Sequence, residues 1–96
     1  MKRRPMFKFR LYVAGDTQNS AQALVNLTAI CRKHLPDRYE IELVDVFQEP
    51  KRALEDHILM TPILIKLSPS PGARIVGTLS QTELVLQSLG VEASMV

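Results

Sequence analysis

The chain has 96 residues, of which 46% are hydrophobic and 23% charged, with a formal net charge of +2. That length suits one domain, residues 1–96, with a modest core, and the composition is that of an ordinary globular chain and not a disordered one. The small charge excess does not by itself specify nucleic acid, and no apolar run is long enough to span a membrane.

Lys2, Arg3, Arg4, Lys8 and Arg10 open the chain. Residues 1–6 are expected to form a flexible, solvated basic arm. Within this arm no aromatic residue interleaves with the charges as an RNA platform would need. Phe7, Phe9, Leu11 and Val13 then alternate with Lys8, Arg10 and Tyr12, the pattern of a strand with one face in the core. The same alternation is no signal-peptide core, so a cytoplasmic location is expected.

Ala14-Gly15-Asp16 breaks the strand. Gly15 can take backbone angles closed to other residues, and Asp16 or Thr17 can bond the backbone locally. A helix follows from about Asn19 to His34, capped by Asn19 or Thr17. Leu24, Leu27, Cys31 and Leu35 form its buried stripe, with Ala23 and Ile30 at the edges and Gln22, Asn26 and Lys33 toward water. Cys31 is the lone cysteine and reads as a small buried hydrophobe. His34 suits the helix C-terminus.

Glu40 to Phe47 reads as a second strand. Its continuous apolar run places it inside the sheet, parallel to the first in a right-handed βαβ unit. Asp45 at its end reads as an acceptor for loop amides. Pro50 opens a second helix with Ala53, Leu54 and Ile58 inward. Lys51, Arg52, Glu55 and Asp56 read as its solvated face.

Pro62 precedes a strand from Ile63 to Leu67. Pro69, Pro71 and Gly72 make a turn, and Ala73 to Leu79 return as an antiparallel strand. Ser80 and Glu83 have the spacing of a capping box, and Gly90 stands where a left-handed cap ends the last helix. Residues 91–96 are a short tail. The order is α/β, βαβαββα.

No metal-ligand spacing, phosphate-binding loop or nucleophile–base pair is present, so no catalytic residue, cofactor or metal is expected. Tyr12 and Phe47 near the sheet ends are candidate interface anchors.

The order βαβαββα is that of thioredoxin, and Thr61-Pro62 falls where thioredoxin-like proteins place a cis-proline beside their active corner. That corner here, residues 14–18, holds no thiol, so redox exchange lacks its nucleophile. "LYVAGDTQNSAQAL", "VDVFQEPKRALEDHILMTPIL" and "ARIVGTLSQTELVL" strongly resemble the KaiB family, from about Phe9 to Leu89.

The resemblance implies a non-enzymatic adaptor that docks on the N-terminal ATPase ring of a KaiC-type ATPase, with a KaiA-like protein or a sensor kinase as further partners. It also implies homo-oligomers, dimer or tetramer, and a second topology, βαββααβ, for the C-terminal half. A cis bond before Pro62 is expected in the thioredoxin-like form.

By the same resemblance Lys66, Arg74 and His57 fall at partner-contacting basic positions, whereas Gln22 and Ala73 have lost that charge. The family's acidic tail has no counterpart before Val96. Ser88 stands for a family glycine and Gly90 for an aspartate. The serine favours the last helix by about 0.5 kcal/mol. The other reading is a self-associating KaiB-like protein that no longer binds the ATPase.

Overall fold

β1 (Phe7–Val13) lies inside a four-stranded sheet of order β2-β1-β3-β4. The structure is a computed structural model that describes residues 5–91. Residues 1–4 of the expected arm and 92–96 of the expected tail lie outside the described residues. The remaining elements are α1 (Gln18–His34), β2 (Tyr39–Asp45), α2 (Pro50–Glu55), β3 (Ile63–Ser68), β4 (Ala73–Val76) and α3 (Thr82–Leu89), in the order read from the sequence. β1 pairs parallel with β2 and antiparallel with β3, and β4 runs antiparallel to β3.

Alternation along β1 divides the core in two. Phe7, Phe9, Leu11 and Val13 meet Leu27 and Cys31 of α1 and Leu86 and Leu89 of α3 in one large cluster. Tyr12 joins Val44, Ile63 and Ile65 in a smaller cluster, against which Val46, Ala53 and Ile58 pack in part. A fully buried Leu or Phe side chain contributes on the order of 2 kcal/mol. The α1–α3 side therefore supplies most of the apolar stabilisation, and the α2 side relies on other contacts.

Several expectations are corrected. β2 is an edge strand and ends at Asp45, because β3 takes the other side of β1. Its apolar run serves both faces: Val44 is buried, Ile41 packs in part on the large cluster, and Leu43 is left exposed. α1 starts at Gln18 with Thr17 at its cap position and Asn19 already within the helix. The Thr17 hydroxyl makes no capping bond and donates instead to Ser20 Oγ at 2.8 Å. Leu24 is only partly buried, whereas Ala23 is fully buried. Asn26 is not solvated, since its Nδ2 donates to the Thr78 carbonyl at 2.8 Å and ties α1 to the segment before α3.

The Ser80–Glu83 capping box does not form. α3 starts at Thr82 with Gln81 at the cap position. Leu79 is buried with a left-handed backbone, φ 63°, and this turn leaves Ser80 outside the helix, where its Oγ accepts from Thr78 Oγ1 at 3.4 Å. Glu83 still sits in the first turn, where a carboxylate favours the helix dipole. Gly90 ends the helix as expected. With φ 71° it donates to the Gln87 carbonyl, while Val91 N donates to Leu86 O at 2.9 Å. Val91 and Leu86 are both in the large cluster, the apolar contact that accompanies this cap.

Candidate partner-binding face

One end of the sheet gathers three backbone features. β1 runs into the corner at Ala14–Thr17. β2 ends beside it, with Val46 N donating to Val13 O at 2.9 Å. β3 begins there too, since Tyr12 registers with Ile63. The Thr61–Pro62 peptide just before β3 is cis, and so are Ser68–Pro69 and Ser70–Pro71.

Asp45 organises this corner. Its Oδ1 accepts from Phe47 N at 2.9 Å and from Gly15 N at 3.3 Å. Gly15 has φ 56°, a conformation that a side chain resists. Of the residues singled out, Gly15 and Asp45 are bonded here, and Pro62 precedes the strand that starts at the same end of the sheet.

Apolar side chains stand out from the same end. Phe47 is 75% exposed, Leu59 94% and Met60 57%, and Leu54 on α2 is 76% exposed where an inward position was expected. Adjacent helical residues point about 100° apart, so Ala53 and Leu54 cannot both face the sheet squarely, and Ala53 takes the inner place.

Beneath α2 lies a charged cluster that sequence reading missed. The Tyr12 hydroxyl donates to Asp56 Oδ2 at 2.6 Å and lies 3.1 Å from the Arg52 carbonyl oxygen. Arg10 bonds Asp56 at 3.0 Å and Glu42 at 2.7 Å, and Arg52 bonds Glu42 at 2.8 Å. Arg52 and Asp56 were expected to face water but close on the sheet. The hydrogen bond from Tyr12, with that from Arg10, outweighs burial and holds the Asp56 carboxyl below its usual range, and the charges of Arg10 and Arg74 add to this. Bonds from Arg10 and Arg52 do the same to Glu42. Burial, aided by Asp56, pushes the Tyr12 phenol up to about 12.

The four positions assigned to partner contact do not form one patch. Tyr12 is fully buried, so it cannot anchor a partner directly. Lys66 is 5% exposed. It projects to the α3 side, where its Nζ donates to the Leu89 carbonyl at 2.8 Å and sits 5.8 Å from the centre of the Phe7 ring. Both outward roles are therefore corrected. Arg74 on β4 and His57 behind α2 are exposed. Arg74 registers with Ile65, which places it on the α2 side of the sheet. Pro69 and Pro71 lie in the β3–β4 turn at the far end from the corner, and Ser80, Glu83, Ser88 and Gly90 lie in or beside α3. Cys31 is buried, and burial pushes its thiol up to about 12.

The KaiB domain family model matches residues 10–91. The chain belongs to the KaiB family. Circadian clock protein KaiB3 of Synechocystis sp. is 45% identical over 82 residues, which cover 85% of this KaiB-family chain and 80% of that protein. Circadian clock oscillator protein KaiB of Thermostichus vulcanus is 44% identical over 86 residues, covering 90% and 80% respectively.

Among solved structures, the N-terminal domain of Synechococcus elongatus SasA superposes with a TM-score of 0.71 at 14% identity, covering 100% of this chain and 94% of that one. Chloroplastic thioredoxin z gives 0.71 at 15% identity, covering 91% and 80%. At such identities the likeness is one of fold, and it matches the thioredoxin-like order of this KaiB-family chain. No described helix is long and apolar enough to cross a membrane.

Proposed function

We propose that this chain is a KaiB-type adaptor. It binds the N-terminal ATPase ring of a KaiC-type ATPase and regulates the phosphorylation and output of that ring in a clock, timer or stress-response system. The observation that carries this reading is the family match over residues 10–91. It is supported by a corner without a thiol from which Phe47, Leu59 and Met60 project. Exposed aromatic and aliphatic side chains at a fixed corner suit macromolecular docking better than small-molecule chemistry. Arg74 serves as a rim cation, and the exposed His57 as a neighbouring polar rim contact.

A second reading is a self-associating KaiB-like protein without ATPase binding. The inward turn of Lys66 and the uncharged Gln22 and Ala73 favour it, because each removes a cation from the contacting set. The alternative topology βαββααβ belongs to either reading as a form that oligomerisation would stabilise.

The test is incubation for hours with the KaiC-type ATPase of the same genome and ATP, followed by size exclusion with light scattering. A ring complex that Arg74→Ala and Phe47→Ala weaken supports the adaptor. A stable homo-oligomer with no complex supports the second reading.

A further inference from the structure

We infer that α2 and the loop behind it, residues 50–61, form a flap that opens from the sheet as a unit of its own, held by a polar clasp and not by apolar burial. None of the six residues of α2 is buried, whereas α1 buries five and α3 three. Ala53 and, just beyond the helix, Ile58 are the flap's apolar contacts with the small cluster, and both are only partly buried. A helix this short has no stability of its own in water.

The clasp supplies what burial does not. On the flap side are Arg52 and Asp56, with Glu49 3.4 Å from Arg52. On the sheet side are Tyr12 and Arg10 of β1 and Glu42 of β2. Arg52, Asp56, Tyr12, Arg10 and Glu42 each bond at least one member across the gap, whereas Glu49 pairs only with Arg52 on its own side. Loss of one therefore leaves its neighbours half-satisfied in a partly dry site. Segments with few buried apolar contacts open at lower free energy than the strands beneath them.

The regulatory meaning rests on the docking reading above. Leu54, Leu59 and Met60 ride on the flap, so its position sets whether they present one face with Phe47. Tyr12, which no partner can touch in the closed form, then acts on docking as a positioning residue.

Native-state amide hydrogen exchange on the full chain tests the flap. The amides of Asp56, His57 and Ile58 donate within the flap, to Arg52, Leu54 and Ala53. They are expected to exchange at least about tenfold faster than those of β1 in the wild-type chain. Tyr12→Phe is expected to speed them a further five-fold or so while β3 and β4 change much less. Asp56→Asn, which keeps an acceptor for Tyr12, should give a smaller increase confined to the same amides.

Equal protection of the flap and β1 in the wild type would overturn the inference, as would a uniform rise across the chain in Tyr12→Phe. The experiment needs no partner. Its failure leaves the adaptor reading standing, and a missing ring complex leaves the flap standing.

Discussion

The Lys66 ammonium and the Leu89 carbonyl, 2.8 Å apart, join the middle of the sheet to the end of the last helix. The cation sits where the final carbonyls of α3 lack helical partners and where the helix dipole is negative. Lys66→Met keeps the buried stem and removes the bond. It is expected to lower stability by about 2 kcal/mol, the range for a hydrogen bond to a charged group. Arg74→Ala, on the surface, should stay within about 0.5 kcal/mol of wild type. Urea unfolding of both variants checks this, and equal midpoints would refute the inward role of Lys66.

Gly90 lies against the same amine. A methyl group there would meet Lys66 Nζ at 3.8 Å, an ordinary contact, so space is not the obstacle. The left-handed φ of 71° is. Gly90→Ala is expected to cost about 1–2 kcal/mol, whereas Ser88→Ala on the exposed face should add a few tenths. Thermal melts of the pair should move in opposite directions.

Asp45 makes its two corner bonds through a single oxygen. Asp45→Ala leaves the Gly15 and Phe47 amides without that acceptor and is expected to cost about 1–3 kcal/mol. Asp45→Asn retains an acceptor oxygen and should lose less. The order Asp, Asn, Ala in denaturant midpoint is the expected outcome.

Tyr12 and Cys31 make stability fall in alkali. Burial raises the phenol to about 12 and the thiol to about 12, above their ordinary values of 10.0 and 9.0. A raised folded value means that the fold favours the protonated form. The contribution is complete below the unfolded value and is lost as pH climbs through the folded one. Stability measured from pH 9 to pH 12 should therefore decline, with a shallower decline above pH 10 in Tyr12→Phe. Asp56 has the opposite sign: its carboxyl is lowered, so its share is present at neutral pH and disappears as pH falls below the usual carboxylate range.

The order of elements was legible because each carried its own periodicity and punctuation: alternation in β1, Pro50 at the start of α2, Gly90 at the end of α3. Asp45 was legible as a loop acceptor from its place at the end of a strand. The clasp was not, because Arg10, Glu42, Arg52 and Asp56 each look like a solvated charge until the β1–β2 register and the entry of α2 bring them together. Lys66 misled for a related reason. Strand alternation puts it on the same side as Leu64 but cannot show that α3 ends above it. The capping-box spacing was real, yet the burial of Leu79 shifted the helix start past it. The edge position of β2 depends on where β3 inserts, a long-range choice that no local pattern records.

The two bonds to Asp45 also bear on association. Gly15 and Phe47 are anchored to one carboxylate before any partner arrives, so ordering them adds little entropic penalty on contact. Leu59 and Met60, carried on residues 50–61, lack such an anchor. In the proposed adaptor role, Phe47 would offer an aromatic contact on an anchored backbone, and Leu59 and Met60 a less constrained aliphatic one. Substitutions at Phe47 and at Leu59 should consequently both shorten the lifetime of such a complex more than they slow its formation.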